Sequence, residues 1–266
     1  MLAACGRAGE MRISDLQVVD RTAPDQQVWR PGAAELERLV RAAVRDPVVR
    51  WGGDGSRKLR AEIALSRSDV GERGVLRAEI LLHLDASDAP NDGPVEASGI
   101  VEKSYDSRAA VDAAFVRRHL ERGLRDVAEG LLAQVHLRVG DPQMLVVALE
   151  GTDASLREAA IQAAAMRREA KAVPALIKLL GHQDEQVSDA AIGALVAIGD
   201  RRAVRPLCER SNLGDVRGMA RVLDAIASLG GDEARAYLEL VGSGHDDPTL
   251  KAMAREALDR MDRHRR

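Results

Sequence analysis

Side chains able to do chemistry are few in this 266-residue chain, and they do not assemble into a reacting set. Six histidines stand at positions 83, 119, 136, 182, 245 and 264. None belongs to the HExxH spacing that puts two imidazoles and a general-base glutamate on one helix face over a zinc ion. His182 lies two residues before Asp184, and His245 directly before Asp246 and Asp247. Both sets fall where the chain turns, so they read as solvated turn residues, with metal binding as the alternative. Trp51, Gly52, Gly53, Asp54 and Gly55 form a glycine-rich stretch without the GxxxxGK[ST] or GxGxxG spacing that cradles phosphate, and a loop between helix and strand accounts for it. Ser56, Ser104 and Ser107 lack the G-x-S-x-G turn that exposes a nucleophilic serine. Arg201, Arg202 and Arg205 make the densest basic cluster of the second half, but no aromatic ring is interleaved for bases to stack on. The expectation is a protein without catalytic residues, metal ligands or a cofactor.

The composition agrees. Hydrophobic residues make up 45% and charged residues 30%, the balance of a soluble globular chain. Aromatic residues are only 2%, so the core must be built from Ala, Leu, Val and Ile. The formal net charge of −3 supplies no general attraction to nucleic acid or to an anionic membrane. Of the 39 basic residues 34 are Arg, a bias that points to translation from GC-rich DNA as much as to anion binding. No run of about 18 apolar residues is present to cross a membrane. A channel, a collagen-like rod, a disulfide-knotted mini-protein and a disordered chain are all excluded.

Two cysteines cannot build a disulfide framework or a four-cysteine zinc site. Cys208 follows Val204 and Leu207 in an apolar helical context and reads as a structural thiol. Cys5 closes the stretch Leu2, Ala3, Ala4, Cys5, followed by Gly6. That stretch resembles a bacterial lipobox, an aliphatic residue and two small ones ahead of a cysteine that carries diacylglycerol. The resemblance implies lipid attachment at Cys5, with residues 1–10 as a tether and a basic, then apolar segment encoded upstream of Met1. Gly6 in place of Asp implies delivery to the outer membrane, facing the periplasm. The alternative is a cytoplasmic protein with an ordinary polar tail.

The second half repeats itself. Residues 191–199 align with 222–230 at an offset of 31, and at the same offset Ala172, Val173 and Leu176 align with Ala203, Val204 and Leu207. Asp184 aligns with Asp215, and Ala159, Ala160, Ile161 with Ala190, Ala191, Ile192. Leu250, Ala257, Leu258 and Met261 align with Val187, Ala194, Leu195 and Ile198 at 63, two repeats plus one residue. Four copies fit, near 142–172, 173–203, 204–234 and 235–266. Each reads as two helices. In the second copy Val173, Leu176, Ile177 and Leu180 share one face, Asp184 caps the next helix, and Val187, Ala190, Ala191, Ala194, Leu195 and Ile198 form its stripe. Gly199 suits a left-handed helix end. The pattern of acidic cap, Val, Ala-Ala, Ala-Leu, Ile-Gly-Asp and Ala-Val resembles the short bacterial HEAT repeat named after phycobilisome lyases. The family's Arg after the Val is kept as Arg157, replaced by Ser188 and Met219, with Lys251 in the last copy. The resemblance implies an all-α solenoid over 141–266 in which Ala163, Ala194, Ala225 and Ala257 keep the helices close.

The first half has another rhythm. Residues 31–44 carry a Leu/Val stripe behind a proline and predict a helix. Leu59, Ala61, Ile63 and Leu65 alternate on one strand, and Leu76, Ala78, Ile80, Leu82 and Leu84 on another. Residues 95–105 predict a third, more polar strand, and 109–135 a long helix burying Val111, Phe115, Leu120, Leu124, Val127, Leu131 and Val135. A short strand near 13–19 comes first. The order β-α-β-β-β-α over 11–140 predicts an α+β domain in two layers, a mixed sheet with two helices on one face. In element order it resembles the small domain of lipopolysaccharide-assembly and transport-auxiliary lipoproteins, with a generic interaction domain as the alternative.

The whole predicts a non-catalytic protein–protein interaction scaffold, bound to a protein partner and not to nucleic acid. In a solenoid of this kind the second helices line the concave face. Positions 162, 193, 224 and 256 align there and read Gln162, Gly193, Asp224 and Glu256, a polar column suited to a partly basic protein segment. The alternative is a lyase or cofactor-attachment accessory, an association the repeat family alone suggests.

Overall fold

The computed structural model describes residues 10–26, 28–53, 57–86, 93–211 and 216–264. Cys5 and its flanking tether, Asp54, Gly55, Ser56, Asp215 and most of the acidic loop before Pro94 lie outside the described residues. Contacts divide the chain into two units, Met1–Gly140 and Asp141–Arg266.

The first unit is an α+β domain. Strands β1 (Met11–Asp20), β2 (Val49–Trp51), β3 (Arg57–Val70), β4 (Arg73–Leu84) and β5 (Val95–Tyr105) form one sheet in the order β2-β1-β3-β4-β5. β1 runs parallel to both neighbours, while β3, β4 and β5 are antiparallel. Helix α1 (Ala33–Ala43) follows β1, and α2 (Ala113–Val139) follows β5. The sheet is therefore mixed.

Period-two patterning places the core. Leu59, Ala61, Ile63 and Leu65 on β3 are buried opposite Leu84, Leu82, Ile80 and Ala78 on β4. On β1 the buried phase changes from Met11 and Ile13 to Leu16, because the ladder shifts register between Ile13 and Asp15. Two glycines set how closely α2 approaches. A Cβ added at Gly99 would stand 2.8 Å from Val127 Cγ2, and one at Gly123 would stand 2.5 Å from Val101 Cγ2. Neither position accepts a side chain without movement of its neighbour.

Two expectations need correction. The glycine-rich stretch reads as loop from Trp51 onward, yet Trp51 pairs with Ile13 and, with Val49 and Arg50 paired to Met11 and Arg12, makes β2. Three residues are too few for a periodic signal, and the pairing with β1 defines the strand. The long helix begins at Ala113 rather than 109. A single 3-10 turn (Arg108–Ala110) precedes it, and the Asp112 carboxylate caps it by accepting the Phe115 N–H at 2.7 Å.

The second unit is helical: α3 (Pro142–Glu150), α4 (Ala154–Arg167), α5 (Val173–Leu179), α6 (Glu185–Ile198), α7 (Val204–Ser211), α8 (Val216–Leu229), α9 (Asp232–Gly244) and α10 (Pro248–His264). They form four consecutive pairs. The repeated Gly-Asp…Ala-Val signature has a physical reading in the second pair. Gly199 takes φ +76° at the end of α6, and Asp200 then caps a 3-10 turn (Arg201–Ala203) by accepting the Arg202 N–H at 2.9 Å. Ala203 and Val204 drop into the core at 0% and 1% exposure. The last pair starts at Asp232 rather than 235, since Gly230 (φ +66°) and Gly231 (φ +94°) reverse the chain in two residues and no 3-10 turn intervenes.

Candidate functional site

The second helices carry the candidate surface. Within the second unit α4 packs on α6, α6 on α8, and α8 on α10. On α4, α6 and α8 both residues flanking the column are buried, namely Ile161 and Ala163, Ile192 and Ala194, Leu223 and Ala225, and on α10 Ala257 is buried while Arg255 is exposed. The 3.6-residue period then leaves Gln162, Gly193, Asp224 and Glu256 exposed.

Ion pairs link these helices. Arg221 on α8 reaches Glu185 at 2.8 Å and Asp189 at 2.6 Å on α6. Arg260 on α10 pairs with Asp224 on α8, so the Asp224 carboxylate is already engaged within the fold. Glu256 keeps its place in the exposed column. Arg157 does not begin a basic ladder. Its guanidinium donates back to the Gly151 carbonyl at 2.5 Å, and its counterpart Ser188, fully buried, donates Oγ–H to the Leu180 carbonyl at 2.9 Å. Both side chains satisfy turn carbonyls between paired helices.

Beside Asp224 the surface opens into a cleft of about 700 Å³. Arg201 from the 3-10 turn, Arg235 from α9 and Arg260 from α10 converge on it, with Asp224, Asp232 and Met261. Arg235 pairs with Asp262, whose carboxylate holds the guanidinium above its usual pKa. Among the described residues no carboxylate pairs with Arg201. Its side chain lies along Gly231, where an added Cβ would come within 3.4 Å of Arg201 Cδ. Sequence reasoning did not find this cleft. The signals visible in the sequence are the basic cluster that contains Arg201 and the Gly230-Gly231 doublet, while Arg235 and Arg260 lie up to 59 positions away from Arg201.

Several other titratable residues hold the fold. His182 Nδ1 accepts the Asp184 N–H and His245 Nδ1 accepts the Asp247 N–H, each at 3.0 Å, and both aspartates cap the helix that follows. Cys208 is half-buried, and burial together with the Glu233 carboxylate pushes its thiol up to about 11. In the first unit Tyr105 donates to Asp69, which also pairs with Arg67 and Arg108 at 3.2 Å. Burial and that carboxylate raise the Tyr105 hydroxyl to about 12. His119, which sequence reasoning passed over, is buried on α2 with Nε2 3.1 Å from the Val101 carbonyl. Among the described residues no group of three or more His, Cys, Asp or Glu side chains is placed to hold a metal ion. No helix among them is long and apolar enough to cross a membrane.

Two neighbouring helix pairs with capped turns, a left-handed Gly199 and buried Ala-Val steps already describe a repeat. Residues 142–224 match the HEAT-repeat family. The HEAT-repeat match covers the first two helix pairs and runs into α8. No curated protein matches the chain.

Proposed function

We propose that this chain is a non-catalytic protein-interaction module whose HEAT-repeat half is a short α-solenoid binding a protein partner along its second helices. HEAT repeats commonly serve as interaction scaffolds. The observation that carries the reading is the successive packing of α4, α6, α8 and α10, which leaves one residue column of the four helices exposed. A helix pair cannot bury its apolar stripe alone, so stacking builds the core and leaves a continuous polar face for recognition. Gln162, Asp224 and Glu256 belong to that face. Affinity capture with the full chain tests the reading. A protein recovered with the native chain is lost with the Gln162→Lys, Glu256→Lys double variant and retained with Glu209→Lys on α7. Equal recovery with all three chains contradicts it.

The same proposal places the protein at the cell envelope, anchored by lipid on Cys5 and facing the periplasm from the outer membrane. The lipobox-like residues Leu2 to Cys5 support it. Two acyl chains anchor stably where one is marginal. Mass spectrometry of the native N-terminus reads the outcome: a diacylglyceryl Cys5 supports the envelope, and an unmodified Met1 in the cytosol overturns it.

A further inference from the structure

We propose that the cleft at the third and fourth helix pairs is the point where the partner docks, and that it takes a carboxylate-bearing, acidic segment of that partner on Arg201. The inference rests on the interaction reading above and names the chemistry of its partner.

The charge arrangement carries it. Three guanidiniums line one cleft, and two of them have a carboxylate of this chain: Arg235 has Asp262 and Arg260 has Asp224. Asp232 stands in the first turn of α9, where the positive end of the helix dipole offsets a negative side chain. Arg201 is left as the cleft guanidinium that forms no ion pair with a carboxylate among the described residues. The other arginine of its turn, Arg202, is bound on both sides by Asp200 and the Ala170 carbonyl.

The shape favours a segment rather than a bare ion. Gly231 puts side-chain-free backbone against the Arg201 side chain, which lines the cleft. A guanidinium in that position offers a bidentate site to one carboxylate. Leu229 and Met261 give the same cleft apolar wall, which suits an apolar residue next to the acidic one. One unpaired guanidinium among carboxylates of this chain matches a single carboxylate and does not match the charge density of a nucleic-acid backbone. The partner chemistry is therefore opposite in sign to the basic segment that the column of Asp224 and Glu256 suggests from sequence. The difference comes from Arg260, which neutralises Asp224.

The test uses the full chain labelled with nitrogen-15 and the probe acetyl-Leu-Glu-Leu-amide, with acetyl-Leu-Gln-Leu-amide as the uncharged control and inorganic phosphate as the free-anion control. The expected result is a titrating shift of the Gly230 and Gly231 amides and of the Arg201 Nε–H with the glutamate peptide. It is at least tenfold weaker with the glutamine peptide and in the Arg201→Gln variant, and unchanged in Arg205→Gln. Equal shifts with both peptides, or shifts that survive Arg201→Gln, overturn the proposal. Phosphate producing the same shifts while the peptide produces none overturns it in favour of a small-anion site. If affinity capture still depends on Gln162 and Glu256 while Arg201→Gln changes neither capture nor peptide shifts, the cleft proposal fails and the interaction reading stands.

Discussion

Arg202 Nη2 donates to the Ala170 carbonyl at 3.0 Å, joining the turn that opens the third helix pair to the turn that opens the second. The guanidinium is held for this by Asp200, whose carboxylate also caps its own turn and is kept below the usual carboxylate range by Arg202. The bond lies across the repeat boundary, so its loss loosens the stacking of pairs rather than either pair. Arg202→Ala is expected to lower the urea midpoint of the full chain, and only slightly because the side chain is largely solvated. Arg202→Lys, which lacks the planar fork, recovers only part of it.

The Leu180 carbonyl is a second inter-repeat joint. It accepts from the buried Ser188 hydroxyl of its own pair and from Arg210 on α7 of the next. Ser188→Ala or Arg210→Ala alone leaves one donor and costs about 1 kcal/mol. The double variant leaves a buried carbonyl without either, and is expected to exceed the sum of the singles by about 1 kcal/mol in a denaturation cycle. Strict additivity would show that the two donors do not share a joint.

At the position matching Gly199, the first pair ends on Arg168, the one non-glycine residue with positive φ among those described, at φ 48° and ψ 48°. A left-handed conformation costs a residue with a Cβ about 1–2 kcal/mol, against a smaller entropy cost for glycine. Arg168→Gly is therefore expected to stabilise the chain by about 0.5–1 kcal/mol, read as a rise in urea midpoint at constant slope.

These joints also mark what can be read from sequence. Asp184 and Gly199 announce a cap and a helix end, because residue type and the 31-residue period coincide there. β2 is invisible because Val49, Arg50 and Trp51 become a strand only by pairing with β1. The register shift after Ile13 changes which residues of β1 face the core, and no local composition signals it. The exposed column at 162, 193, 224 and 256 follows from helical period alone. The pairing of Asp224 with Arg260 does not, for it needs α8 and α10 to be side by side.

His119 gives the first unit an acid-sensitive point. Burial lowers its pKa, with the nearby Arg122 and Lys103 charges acting in the same direction and the Val101 carbonyl opposing them. The unfolded chain, titrating near the ordinary histidine value of 6.5, then binds a proton that the folded chain does not. Stability from this group is full above that pH and declines as pH falls toward the folded value. The urea midpoint is expected to drop between pH 7.5 and 5.5 by more in the native chain than in His119→Gln. An equal drop in both would remove His119 as the cause.

The central claim is that partners meet the second helices of the helical unit. Site-specific photocrosslinking in living cells tests it most directly, with benzoylphenylalanine placed singly at Gln162, Gly193 and Glu256 on second helices, and at Val147 and Leu240 on the first helices α3 and α9. Val147 and Leu240 are both strongly exposed, at 64% and 66%, so accessibility does not bias the comparison. The account predicts a common protein adduct from the three second-helix positions and none from the other two. Adducts confined to Val147 or Leu240, or distributed equally over all five, would contradict it.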